Sequence, residues 1–236
     1  MDNTIMFGLV TFIYLFSFFF YLVRMISGNE FWGRIGTWST LTGFAIHTFA
    51  FGYRWVESYN MGIGRVPLSN FYESLVFFAW TIVLIYLIVE WRTKSRTLGT
   101  FMTPFAFIAM AFASLSPNID SRIQPLIPAL QSNWLTVHVI TCFIGYAAFT
   151  VSCAMGIMYL LRRSAEKRSR AKKGFYSFLP SLEVADELNY QGAVLGFVFL
   201  TLGIMTGAIW AHSAWGTYWQ WDPKETWSLV TWLIYA

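Results

Sequence analysis

The sequence predicts an all-α fold: a polytopic transmembrane helical bundle of about six full spans plus the start of a seventh. Three observations lead there. Of 236 residues, 56% are apolar and only 12% are charged, about half the charged share of an average soluble domain. Mean hydropathy is +0.51. Apolar runs near the ~20 residues that a spanning helix needs recur along the whole chain, separated by short polar stretches. The 236 residues read as a single membrane domain.

The first run, 5–23, follows MDNT, which has neither a basic leader nor a small-residue cleavage site, so it reads as a retained helix. Run two, 37–53, is shorter and interrupted by Gly43 and Gly52. Run three covers 71–89, opened by Asn70 and Glu73 in a capping pair. Run four, 98–115, has Pro104 near its start. Residues 116–133 include Pro117, Pro125 and Pro128 and predict an irregular connection. Run five covers 134–161. Residues 180–189, PSLEVADELN, suggest a short amphipathic interfacial helix with Ser181 as N-cap. Run six, 192–211, carries Gly192, Gly196, Gly203 and Gly207, two GxxxG pairs on one stripe that favour close helix packing. The seventh, 226–236, rises only about 16 Å, so the chain reads as ending in mid-helix, as a truncated protein would.

Cys142 and Cys153 share one apolar helix about 16 Å apart, too far to bridge, and read as packing thiols. Without CxxC or CxxCH the chain is neither a thioredoxin-like reductant nor itself a c-type cytochrome. Twelve of the sixteen Lys and Arg follow runs one, three and five, seven of them between Arg162 and Lys173. The basic side is cytoplasmic by the positive-inside rule. The net charge of +4 is therefore a topology signal and gives no reason to expect nucleic acid.

Six of the twelve tryptophans lie in 210–234, WAHSAWGTYWQWDPKETWSLVTWLI. Gly216 and Pro223 make its middle a short non-helical connection. Asp222 as N-cap, Pro223 at the first helical position and Glu225 three residues past the cap start the next helix. The external segment is placed at 210–227. An interfacial tryptophan belt would account for the composition. Half the supply on one turn instead suits a concave aromatic surface for a large flat apolar ligand such as a porphyrin. Near that side, His138 shares a face with Trp134, Cys142, Gly145 and Phe149. His138 reads either as a hydrogen-bonded packing residue or as a metal ligand.

The stretch 215–236, WGTYWQWDPKETWSLVTWLIYA, resembles the tryptophan-rich WWD motif of the haem-handling proteins of cytochrome c assembly. The DPKETW continuation is similar to the CcsA/ResC family of system II rather than to CcmC or CcmF of system I. The resemblance extends through GFVFLTLGIMTGAIWA, HVITCFIGYAAF and HTFAFGYRW…GRVPLSNFYESL and covers most of the chain. The resemblance implies a bacterial plasma-membrane protein with its tryptophan-rich loop on the periplasmic or exterior side. It would work with a CcsB/ResB-type membrane subunit in the lipid bilayer, handling haem b and apocytochrome c as a subunit of a cytochrome c synthase, a haem lyase. It implies His138 as an axial ligand of haem iron, the second ligand lying outside this chain. Trp215, Trp219 and Trp221 would wall the macrocycle. His47, Arg54 and His212 are further haem-binding candidates. His47 reads equally as buried polar glue, and the family motif does not require a histidine at 212. No catalytic residue is assigned. A CcmC-like haem-delivery protein without lyase activity, or a structural or transport subunit without haem, are the alternatives.

The charge split predicts topology directly. A reporter fused after Lys173 should report cytoplasm and one near Asn118 the external side; the reverse pattern would put the tryptophan turn on the cytoplasmic face.

Overall fold

Seven α-helices carry the chain in a computed structural model that describes residues 3–171 and 174–236. They are α1 (Asn3–Ser27), α2 (Glu30–Asn60), α3 (Phe71–Thr93), α4 (Thr97–Leu115), α5 (Asn133–Lys167), α6 (Leu182–Trp215) and α7 (Pro223–Tyr235). The described residues contain no strand. Lys172 and Lys173, the end of the basic run, lie outside the described residues. The protein is a multi-pass helical membrane protein.

Five helices, α1, α3, α4, α5 and α6, are long and apolar enough to cross a membrane, against about six expected. The difference is α2, whose Glu30, Arg34, His47, Arg54 and Glu57 dilute its hydropathy. It nonetheless packs along α1, and its 31 residues rise about 46 Å, more than the ~30 Å hydrocarbon core. Its outward face carries Trp38, Leu41, Phe49, Tyr53 and Trp55, all exposed in the bundle and suited to lipid. Gly43 does not interrupt it. The absent side chain admits α1, since a Cβ there would lie 2.8 Å from Ile13 and 2.9 Å from Tyr14.

The interfacial helix expected at 180–189 is the first part of α6. Ser181 does cap it, its hydroxyl accepting from the Val184 amide at 3.4 Å, but no glycine or proline follows before Gly192 to stop it. Helix α5 likewise runs six residues past 161 into the basic stretch. Residues 116–127 are irregular, and a single 3-10 turn spans Pro128–Leu130.

The core is apolar, built on Phe7, Val10, Tyr14, Ile82, Tyr86 and Met102 from α1, α3 and α4 and on Ala147, Val151 and Met155 from α5. The charges sit at its two ends. At one end Arg24 pairs with Glu30 at 2.6 Å and donates to Thr97 at 3.3 Å, Arg96 pairs with Glu30 at 3.2 Å, and Thr97 donates to the Phe178 carbonyl at 2.9 Å. This ties the connections after α1, α3 and α5 together.

At the other end the Glu73 carboxylate collects two guanidinium groups. Arg54 donates Nε and Nη2 to Oε1 at 3.1 and 2.8 Å, and Arg65 donates Nη1 to Oε2 at 2.6 Å. The Ser69 amide adds a bond to Oε2 at 3.0 Å. Asn70 accepts from the Glu73 amide at 2.8 Å, so half of the capping pair forms, while the carboxylate serves the arginines instead of reaching back to the cap. Arg54 also donates to Asn3, which donates to Glu57, and Arg65 donates to the Gln124 carbonyl at 3.1 Å. The N-terminus, the α2–α3 loop and the proline-containing loop are thereby bound into one unit.

Removing one partner from a buried ion pair strands the other and costs about 3–5 kcal/mol, whereas an exposed pair contributes about 1 kcal/mol or less. Glu73 is 1% exposed at its side chain and Glu30 is 47% exposed. Thermal unfolding in detergent should therefore show Glu73→Ala far less stable than Glu30→Ala; equal losses would contradict the assignment of Glu73 as the buried clamp.

Candidate ligand pocket

Helices α5 and α6 form the most extensive helix contact of the bundle, and their approach is set by residues with little or no side chain. A Cβ built on Gly192 would lie 3.0 Å from the Ser152 amide nitrogen. One on Gly196 would lie 2.5 Å from the Phe149 ring, on Gly203 2.6 Å from Cys142 Sγ, and on Gly207 2.7 Å from His138 Nδ1. The pairing is antiparallel and in register: the steps of four and then seven down α6 from Gly207 to Gly203 and Gly196 are matched by the same steps along α5 from His138 to Cys142 and Phe149.

This contact fixes His138. Its Nδ1 lies 2.8 Å from the Gly203 carbonyl, a group that only accepts, so Nδ1 carries the proton and Nε2 keeps its lone pair. Thr206 shares the same carbonyl at 3.2 Å, and Cys142 Sγ lies 3.6 Å from Nδ1. Trp210 stacks on the imidazole, centroids 6.0 Å apart and planes 16° apart. Its indole nitrogen donates to the Ala129 carbonyl at 3.0 Å, which brings the 3-10 turn against the end of α6.

Helix α6 ends at Gly216, which takes the left-handed conformation (φ +79°) and donates its amide to the His212 carbonyl at 2.9 Å. Residues 217–222 then cross to α7. Asp222 caps α7 by accepting from the Glu225 amide at 2.8 Å. Glu225 reaches back to the Gln220 amide at 2.6 Å, two residues beyond the position a capping box would satisfy. Between these bonds Trp221 is held at φ +59°, a left-handed backbone that a bulky side chain rarely adopts. Helix α7 is anchored by Trp232, which donates to Thr201 at 2.8 Å, and by Tyr235, stacked on Phe149 at 4.0 Å.

The result is a pocket of about 390 Å³ walled by α5, α6, the turn and the start of α7, within the size range of small-molecule sites. Of the residues singled out in the sequence, His138, Trp215 and Trp219 line it together. Trp221 is exposed beside it, edge-on to Trp219 at 5.7 Å. His212 is exposed and stacks on Tyr218 at 4.2 Å. His47 lies apart, fully buried between α1 and α2, with Nδ1 3.0 Å from the Tyr14 hydroxyl and Nε2 without a hydrogen-bond partner. Arg54 lies apart as well, in the Glu73 clamp.

Trp210, Tyr218 and Lys224 are among the lining residues that the sequence did not mark as site residues. The indole nitrogen of Trp219 is buried and has no partner, which leaves a donor available to a carboxylate or carbonyl of a ligand. The donor set thus comprises one imidazole nitrogen with a free lone pair, flat aromatic walls and an orphaned N–H.

Residues 68–236 match the family described as Cytochrome C assembly protein. The chain belongs to that family. It is 38% identical to the cytochrome c biogenesis protein CcsA of Guillardia theta, over 86% of this chain and 70% of that one. Identity is 36% to the CcsA protein of Chlorella vulgaris, over 92% and 79% of the two chains, and 37% to that of Trieres chinensis, over 86% and 72%. Among solved structures it is similar to one named Cytochrome c Heme Lyase CcmF, with a TM-score of 0.71 over 99% of this chain and 40% of that one. At 16% identity the similarity is one of fold. The chain is a CcsA-type membrane protein of cytochrome c biogenesis.

The cap at Asp222 holds the pocket's outer wall. Asp222→Ala should cost about 1 kcal/mol locally and speed amide exchange of Glu225 by roughly fivefold, with exchange in α5 unchanged. An unaltered Glu225 rate would mean that the cap does not hold the turn.

Proposed function

We propose that this pocket binds haem b as the substrate of covalent attachment to apocytochrome c. His138 Nε2 is the axial ligand to iron. The observation that carries this reading is the Nδ1–H bond to the Gly203 carbonyl at 2.8 Å. A ligating imidazole ordinarily donates its second nitrogen to a carbonyl or carboxylate, which fixes the tautomer and raises the basicity of the other nitrogen.

The walls suit the rest of the molecule. Trp215, Trp219 and Tyr218 offer aromatic faces to a flat macrocycle, with Trp221 at the rim. The unpartnered Trp219 N–H and Lys224 are donors for the propionates. His212 borders the turn without lining the pocket, and Arg54 is committed to Glu73, so neither is given a ligand role.

In the reaction, the two CxxCH thiols of the apocytochrome add across the haem vinyl groups. Each sulfur bonds one vinyl carbon and its proton passes to the other. The bond-forming sulfurs belong to the substrate, and this chain's part is orientation and exclusion of water. Because 12 of the 16 basic residues follow runs one, three and five in the sequence, we place the pocket on the exterior side of a bacterial plasma membrane. A CcsB/ResB-type subunit is the expected partner, and the exposed apolar face of α6 (Val194, Val198, Leu202, Met205) suits either that subunit or lipid.

The test is ligand rescue in the full-length protein with its partner subunit. His138→Ala should abolish cytochrome c assembly and shift the Soret band, and added imidazole should partly reverse both, because it supplies the same donor nitrogen. Normal assembly by His138→Ala would remove the histidine from the site. Trp219→Ala should weaken haem retention roughly three- to tenfold through lost stacking; unchanged retention would favour a plain interfacial belt.

A further inference from the structure

We infer that Gly207 is a positioning residue for His138, required not for helix packing in general but for the orientation of this one imidazole. The inference rests on the haem-ligand reading of His138. Gly207 lies in the interior of α6, where glycine costs a helix about 1 kcal/mol relative to alanine. On propensity alone an alanine there would stabilise the protein. The space a methyl group would need is taken by the imidazole: the three nearest atoms to a Cβ at 207 all belong to His138, with Nδ1 at 2.7 Å, Cε1 at 2.8 Å and Cγ at 3.5 Å.

The ring has no easy way to yield. Nδ1 is tied to the Gly203 carbonyl at 2.8 Å, Cys142 Sγ stands 3.6 Å away, and Trp210 lies parallel to the ring. Trp210 is itself held by the Ala129 carbonyl at 3.0 Å. A methyl group at 207 turns the ring away from α6, breaks the Nδ1–H bond and moves Nε2 from its place in the pocket. The other glycines of the stripe meet different groups. At Gly192, at the far end of the same contact, the three nearest atoms are all backbone atoms of Ala148 and Ser152, some 22 Å of helical rise away.

This predicts energetic coupling between positions 207 and 138, which general packing does not. The measurement is haem content and Soret position of the full-length protein purified with its partner subunit. Gly207→Ala should lose at least fivefold in haem content and shift the Soret band of what remains. Gly192→Ala, which crowds the same helix pair, should stay within twofold with an unshifted band. In His138→Gly, haem retention should depend on added imidazole. The double variant His138→Gly/Gly207→Ala should recover as much haem with imidazole as His138→Gly alone, since the free ligand is not tethered and the new methyl group has no ring to displace.

A Gly207→Ala protein that accumulates in the membrane only when His138 is also replaced by glycine supports the inference in the same way. It is overturned if the double variant recovers less than half of what His138→Gly recovers, if neither Gly207→Ala protein accumulates, or if Gly207→Ala retains wild-type haem and spectrum. Full haem content in His138→Gly without imidazole would instead remove the ligand reading, and this inference with it.

Discussion

The structure depends on how closely α5 and α6 approach. Glycines on one helix face side chains on the other in antiparallel register from Gly196 to Gly207, and Gly192 continues the contact against backbone. Apolar side chains gain little by leaving lipid for a helix surface, so association within the bilayer rests on van der Waals fit and hydrogen bonds between helices. Here the fit brings a backbone carbonyl of α6 within 2.8 Å of an imidazole on α5. The same contact that packs the helices therefore orients the histidine. The pocket exists because α6 then ends in a left-handed glycine and the chain returns as α7 over the exposed side of His138.

The charges outside that contact have a division of labour. The Arg24–Glu30–Arg96 group is partly exposed and sits with the excess of basic residues. The Arg54–Glu73–Arg65 group is buried and locks three separate stretches of chain. Gln124 belongs to the second group, and five residues later the Ala129 carbonyl holds Trp210 against His138. Hydrogen bonds thus run from the N-terminal end of α1 to Gln124, and the same loop carries the chain on to the residue that bonds the pocket wall.

Much of this was legible from residue spacing. The face shared by His138, Cys142 and Phe149 and the glycine stripe of run six were each visible separately. Their steps of four and seven match, but a helical period says which residues share a face, not which face meets which partner. That step needed three dimensions, and with it came Trp210, Gly203 and Gly207 as neighbours of His138. The capping residues Asn70, Ser181 and Asp222 were readable because a cap is a local bond between near neighbours in sequence. The length of α2 was not, because hydropathy counts its polar residues without knowing that His47 and Arg54 turn inward to partners. Arg54 stands in the sequence as a haem-binding candidate, and its pairing with Glu73, shared with Arg65, is a contact between distant stretches that spacing does not show.

The central claim is that one imidazole nitrogen is held ready while the other is tied to α6. Electron cryomicroscopy of the full-length, haem-loaded protein at a resolution that separates side chains tests it most directly. The account predicts the macrocycle against Trp215 and Trp219, with iron on His138 Nε2 and Nδ1 still on the Gly203 carbonyl. Haem density elsewhere, with the His138 ring turned out of the pocket or ligating through Nδ1, would contradict it.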